Sequence, residues 1–492
     1  MVLNMDYETI IGLEVHSQLN TDSKMFCSCM STYQEMEPNT TICPVCVGMP
    51  GTLPIPNTSA IKHVIRTGLA LECDISTESK FDRKNYPYPD LMKGYQISQF
   101  DKPIASNGYL MIEGSDGVTK VRVNRVHLEE DVAKLMHRSE MDESYSLLDI
   151  NRSGVPLMEI VTEPDLRSPD EARDYLTTLR SILRYLEVST ANMEEGSFRC
   201  DANISIRRFG DAELGPKVEI KNMNSFRAVH KALTFEQKRQ VNCKTTGERI
   251  VQETRGWSDQ EGKTFSQRSK EQAHDYRYFP EPDIPPFHID RSEVVELKKS
   301  LPELPQERRN RFKESYKLSD KEAEQLTLSK EMADYFETVV SAGSDNKEIL
   351  QSSAKVASNW LLGEMTRLLN EKAQDISSVL IPPADLIELQ SMVDSKTLSS
   401  TMAKEVFESM FNTGMTPAKI VQKSGMRQIS DETTLEALVE DAIQINQKAV
   451  EDFLNGKETA VRFLVGQVMK LARGKANPQL AEELVVKRLK NL

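Results

Sequence analysis

The sequence predicts an α+β fold: a strand-rich N-terminal domain on an antiparallel sheet, followed by helices to the C-terminus. Three observations predict it. Runs with apolar–polar alternation concentrate in the first 290 residues, at 10–19, 118–128, 199–207 and 217–221. A Pro- and aromatic-rich segment, HDYRYFPEPDIPPF at 274–287, then breaks the pattern. From LPELPQERRNRF onward, amphipathic helical spacing takes over with few strand signals. Strands with embedded helices, then helices alone, fit α+β rather than alternating βα units.

The first element is IIGLEVHSQL at 10–19. Its alternation puts Glu14 and His16 on one face and Ile11, Leu13 and Val15 on the other. Behind it come Cys27 and Cys29, then Cys43 and Cys46 within CPVCVGMPG. Two close cysteine couples are the construction of a tetrahedral thiolate site, so a structural Zn²⁺ is expected here. NYPYPDLMKGYQISQF at 85–100 packs Tyr86, Tyr88, Lys93, Tyr95 and Gln96 into a Pro-punctuated loop just after Lys84. Such a loop lines a channel, stacks a base or simply packs its tyrosines. Tyr276, Arg277 and Tyr278 invite the same pair of readings. In VRVNRVHLEEDVAKL, Glu129 and Glu130 fall at a strand end, where only one of two neighbours faces a given side. A helix begins at Ser168, its cap, with Pro169 in first position; Ala172, Tyr175, Leu176, Leu179, Ile182, Leu183 and Leu186 follow at helical spacing.

RCDANISIR alternates Asp201, Asn203 and Ser205 with apolar residues, and KVEIKNMNSF does the same with Glu219 and Lys221. The link between them contains Gly210 and Gly215-Pro216, so a hairpin is expected, with the polar faces side by side. Carboxylates crowded on one sheet face either look into water or hold a divalent cation; oxygen donors with one His suit Mg²⁺ or Mn²⁺. GWSDQEGKT at 256–264 is not a phosphate-binding loop, because five residues separate its glycines where four are needed and no apolar strand precedes it. If ATP is used, the metal-bearing sheet must bind it.

Length and charge bound the rest. The 492 residues hold two to four domains, expected at 1–290, 291–412 and 413–492, the last edge falling at the breakers of NTGMTP. No run approaches the ~20 apolar residues of a membrane span. The N-terminus lacks a signal-peptide pattern, and seven cysteines with four clustered fit a reducing cytoplasm. A net charge of −13 argues against simple non-specific nucleic-acid binding. Residues 456–492 run against it, with eight Lys/Arg, among them Lys457, Arg462, Lys470, Arg473 and Lys475, against three acids. That end is either a reader of a phosphate backbone or a solvated helical surface.

The motifs IGLEVHSQL, C-x-C…CPVC, KNYPYPDLMKGYQISQ, HLEED, DINRSGVPLMEIVTEPD, MEEGSFRCDANISIR, EIKNMNSF, ETRGW and DYRYFPEPD occur in this order. Together with the tail NGKETAVRFLVGQVMKLARGKANPQLAEELV they closely resemble the B subunits of the aspartyl/glutamyl-tRNA(Asn/Gln) amidotransferases. The resemblance spans nearly the whole chain. It implies a catalytic cradle domain, a helical domain and a helical tRNA-binding tail. It implies that the side-chain carboxylate of Glu-tRNA(Gln) or Asp-tRNA(Asn) is phosphorylated by ATP and that ammonia displaces the phosphate. A Mg²⁺ site is implied at Glu14, His16, a glutamate of HLEED (Glu129 or Glu130), Asp201 and Glu219, and Zn²⁺ at the four cysteines. Strand geometry adds Asn203 and Lys221 as helpers. No amidase signature is present, and the family draws ammonia through a tunnel from a separate amidase/glutaminase subunit, with a small third subunit. Lys84, Tyr86 and Asp90 are expected at the tunnel mouth or substrate site. Two other classes compete: a zinc-stabilised RNA-binding protein without catalysis, and a free-standing ATP-dependent ligase of a small carboxylic acid. The acidic sheet faces argue against the first and the basic tail against the second.

Overall fold

The computed structural model describes residues 7–114, 117–140, 143–269, 276–343, 347–426, 432–454, 457, 459–472 and 476–490. The chain divides into two compact units, Met1–Pro305 and Gln306–Leu492.

The first unit is built on a nine-stranded sheet. In spatial order its strands are Lys263–Ser269, Glu253–Ser258, Val218–Lys221, Phe198–Arg208, Tyr7–Gln18, Pro156–Thr162, Gly117–Glu130, Ala105–Gly114 and Asp74–Ile75. Neighbours are antiparallel except Val218–Lys221 with Glu253–Ser258. The α+β expectation holds, and so does the antiparallel pairing of the Asp201 and Glu219 strands. GWSDQEGKT lies in the antiparallel hairpin of Glu253–Ser258 and Lys263–Ser269, and the next elements among the described residues are the short strands Phe279–Pro280 and Phe287–His288.

Period-two alternation decides which side of the sheet is wet. Ile11, Leu13, Val15, Met158, Ile160, Ala202, Ile204 and Ile220 are buried in one core with Tyr175, Leu176, Leu179, Leu183, Val229 and Leu233 of the covering helices. Those helices are Pro169–Tyr185 and Phe226–Thr246. The first starts where the sequence places it: the Ser168 side chain accepts from the Glu171 amide, and Pro169 opens the helix. Gly247, at φ +79°, ends the second in a left-handed turn. The opposite face of the sheet is left for polar side chains.

A smaller three-stranded sheet overlies the site. Asp82–Asn85 pairs with Tyr95–Ser98 on one side and Phe279–Pro280 on the other. The segment 276–287 therefore returns to the tyrosine-rich loop, 86–94. The helix Arg291–Lys299 adds Val294 and Leu297, followed by Leu301 and Leu304, to this unit's core.

The second unit is helical and has two cores. One gathers Phe312, Phe336, Leu361, Phe407, Phe411 and Ile420, the last from helix Pro417–Ser424. The other gathers Leu435, Val439, Leu464, Val468, Leu484 and Val485. Among the described residues no helix is long and apolar enough to cross a membrane.

Candidate active site and metal centre

Strand register assembles the polar face. On the strand Tyr7–Gln18, His16 pairs with Glu159 on one side and Arg199 on the other. Glu159 in turn pairs with His127. Four strands thus bring Arg199, His16, Glu159 and His127 into one row. His16 Nε2 lies 3.4 Å from Glu159 and 3.7 Å from Glu129, and His127 Nε2 lies 3.3 Å from Glu159. Both carboxylates are buried. The Ser98 hydroxyl donates to Glu129 at 3.0 Å. Burial drives the Glu159 carboxyl upward, but His127 and His16 outweigh it and hold the group well below the usual range. Burial lowers His16; its hydrogen bond to Glu159 and the charges of Glu159, Glu129 and Asp201 reverse the sign, so the imidazole is raised. One imidazole nitrogen and two carboxylate oxygens, from His16, Glu129 and Glu159, lie within 4.8 Å of one another and are suited to hold a hard divalent ion.

A second row runs beside it. Glu14 pairs across the strands with Asp201. The Asn203 amide donates to Glu14 at 2.9 Å. Lys221 bonds Asp201 and lies 3.3 Å from Glu219, whose other oxygen accepts from Thr254 at 2.8 Å. Burial lowers Lys221, yet Asp201 and Glu219 outweigh it and keep the ammonium charged. The expected five-ligand set is therefore split. His16 and Glu129 sit with Glu159, Glu14 with Asn203, and Asp201 and Glu219 with Lys221. The two HLEED glutamates part as neighbours on a strand must. Glu129 faces His16, while Glu130 accepts from Lys93 and from the Ile97 amide at 2.9 Å.

The overlying sheet brings Lys84 to the same place. Its Nζ lies 4.9 Å from the Tyr276 ring centre and 5.8 Å from that of Tyr86. Burial acts to lower it; Glu129, Tyr278 and Glu159 outweigh burial, so it stays protonated. Tyr86 and Tyr276 meet edge to face, and Tyr278 stacks on Phe100. Asp90 lies further along the loop, with one carboxylate oxygen buried and unpartnered, and burial pushes its carboxyl up.

The four cysteines converge. Cys46 Sγ is 3.6 Å from Cys27 and 3.7 Å from Cys43, and all four sulfurs lie within 4.8 Å. A tetrahedron with metal–sulfur bonds of ~2.3 Å has sulfurs ~3.8 Å apart, so the set fits a zinc-sized ion. Gly48, just past Cys46, turns at φ +65°, and a Cβ there would strike Lys93 Cγ at 2.7 Å. Only glycine closes the CPVCVG turn against that lysine.

This sheet and its row of acids belong with a known group of proteins. Residues 9–295 match the family described as the GatB/GatE catalytic domain, and residues 334–489 the GatB domain. The chain is a member of this family. It is 52% identical over 486 residues to the B subunit of the aspartyl/glutamyl-tRNA(Asn/Gln) amidotransferase of Dehalococcoides mccartyi, covering 98% of this chain and 99% of that one. It is 51% identical to the protein of that name from Caldanaerobacter subterraneus subsp. tengcongensis, with the same coverage. With that of Thermoanaerobacter pseudethanolicus the identity is 50%, over 99% of this chain and 100% of the relative.

Sequence reasoning missed Glu159 and His127. The signals were present: Glu159 is the lone acid in the apolar run PLMEIVT, and His127 stands two residues before Glu129. It also missed Asp131, which accepts from Gln18 at 2.7 Å and Arg199 at 2.9 Å beside the row. Of the basic tail residues, Lys457, Arg462 and Lys470 are placed by the structure and all three are exposed, with Lys457 paired to Asp452 at 2.7 Å. Arg473 and Lys475 lie outside the described residues.

Proposed function

We propose that this chain is the tRNA-binding kinase and transamidase subunit of a glutamine-dependent complex that converts Glu-tRNA(Gln), Asp-tRNA(Asn) or both to the amidated forms. The observation that carries the reading is the His16–Glu129–Glu159 set on the polar sheet face of a chain that matches B-subunit relatives from end to end. Mg²⁺ held by His16, Glu129 and Glu159, with Glu14 and Asp201 beside them, would neutralise triphosphate charge when bound. His127 lies 3.3 Å from Glu159 and helps to keep that carboxylate ionised, and Arg199 holds the neighbouring Asp131 at 2.9 Å. Lys84, protonated beside Glu129, draws the negative charge of the phosphoryl group toward the substrate carboxylate. Lys221 does the same from the far side and ties Asp201 and Glu219 in place. Ammonia from the glutaminase subunit enters past Lys84, Tyr86 and Asp90 and displaces phosphate from the acyl phosphate; a small third subunit is part of the assembly. The four cysteines would hold Zn²⁺, which would fix the 27–48 loop, and Lys457, Arg462, Lys470, Arg473 and Lys475 contact the tRNA backbone.

The test is ATP turnover by the chain co-expressed with its partner subunits, with Glu-tRNA(Gln), Asp-tRNA(Asn) or uncharged tRNA. Turnover stimulated by one mischarged tRNA, with amidated product, is expected and names the substrate. A folded, metal-loaded complex with no tRNA-dependent turnover would sink the reading.

A further inference from the structure

Among the described residues, Lys24 is the lysine that the fold buries outright, with no exposed surface. Its ammonium has two partners there. Nζ donates to the Thr41 carbonyl at 2.9 Å and to Cys46 Sγ at 3.5 Å. No carboxylate among the described residues pairs with it, whereas Lys93, the lysine against Gly48, is paired to Glu130. A buried ammonium is seldom left with neutral acceptors alone, because its lost hydration must be offset by an opposite charge. Here the groups in reach that can carry that charge are the cysteine sulfurs.

Lys24 also touches both cysteine couples. Its backbone amide donates to the Cys29 carbonyl at 2.9 Å, and its side chain reaches Thr41 and Cys46. The stem runs past Gly154, where a Cβ would come within 3.6 Å of Lys24 Cδ. The turn that holds Gly154 supports the second couple as well. Asn151 Oδ1 accepts from the Thr41 amide at 2.9 Å, and Ser153 Oγ donates to the Cys46 carbonyl at 3.4 Å. Thr41 and Cys46 are thus placed independently of Lys24, and the ammonium meets a sulfur whose position the turn sets.

Four thiolates on a divalent ion leave two negative charges in excess. We propose that Lys24 is the charge partner of the cysteine centre: its ammonium donates to the Cys46 thiolate, offsets one of those two charges, and so sets how tightly the ion is held. This rests on the zinc assignment above and goes beyond it, because it names a residue outside the four ligands that decides metal retention. The ammonium and the sulfur meet away from water, where charge is weakly screened and a single donor counts for more than at a surface. Removing the charge leaves the four sulfurs in place and the excess unmatched. Partners behind a metal's ligands commonly change its affinity by ~10–100-fold when they are lost.

The experiment compares wild type with Lys24→Met, which keeps an unbranched apolar stem without the charge, and with Lys24→Gln, which keeps an N–H donor without the charge. Each is studied as the full-length chain with its partner subunits. Zinc affinity is measured by competition with a chelator. The thiolate-to-metal charge-transfer absorption is then read after Co²⁺ replaces zinc. Lys24→Met is expected to bind zinc roughly tenfold more weakly or worse. Its absorption band is expected to move to longer wavelength, because a sulfur without a donor gives up electron density more readily. Lys24→Gln should fall between, and it carries the comparison if Lys24→Met does not fold. Wild-type zinc affinity in the variants, or an unmoved absorption band, would overturn the proposal and leave Lys24 a packing residue while the zinc assignment stands. A wild type that holds no thiolate-bound ion would remove the zinc assignment and the role of Lys24 with it.

Discussion

Asp131 shows how much one buried carboxylate organises. It is fully buried and accepts from Gln18 and Arg199, with Arg152 Nε 3.6 Å away. Burial alone raises its carboxyl; Arg199, Arg152 and the Gln18 bond outweigh that and hold it below the usual range. Because the folded value is depressed, its stabilisation is present above the unfolded pKa of ~3.9 and fades as pH falls through the folded one. Asp131→Asn, which strands Arg199, is therefore expected to cost ~3 kcal/mol near neutral pH. Thermal melts should show the gap to wild type closing below about pH 4; a gap constant with pH would contradict the pairing. At the row itself, Glu159→Gln is expected to reduce amide formation at least ~100-fold while tRNA binding persists. Product assays beside filter binding check this, and full activity would remove Glu159 from the site.

At the scale of elements, caps and couples set local stability. Ser168→Ala leaves the Glu171 amide without its acceptor and should cost ~1 kcal/mol, read as a lowered denaturation midpoint with an unchanged slope. Cys43→Ser should release the bound metal, counted by metal analysis, and lower the melting temperature, with activity falling only in step with unfolding. Unaltered metal content would show that these four sulfurs are not its ligands. The elements also explain why the site is composite. Each strand supplies alternate residues to the wet face, so His16, Glu159, His127 and Arg199 come from four strands and meet only through register.

For the whole molecule, the second unit's separate cores allow a clean cut. The sequence puts an edge at the Gly and Pro of NTGMTP, but Ile420 beyond it packs with Phe407 and Phe411. A truncation after Met426 keeps that core; one after Asn412 does not. The truncation after Met426 is expected to leave the melting of the first unit unchanged and to weaken tRNA binding. It should also flatten the salt dependence, because the +5 segment 456–492 goes with it. Unchanged affinity at moderate salt would exclude the tail from tRNA binding.

The sequence by itself determined the α+β class, the Ser168 cap, the cysteine couples, and which residues of the strands carrying Glu14, Asp201 and Glu219 face away from the core. These are local properties, fixed by alternation, caps and spacing within a few residues. Its motifs also sufficed to point to the family. Only the tertiary structure decided that Glu129 rather than Glu130 meets His16, that Glu159 and His127 complete the row, and that Lys221 binds Asp201 and Glu219. It also decided that Lys84 returns over the sheet to Glu129. Those outcomes depend on cross-strand register and on a second sheet closing over the first. Register is set by the summed burial of a whole strand face, which no single segment reveals.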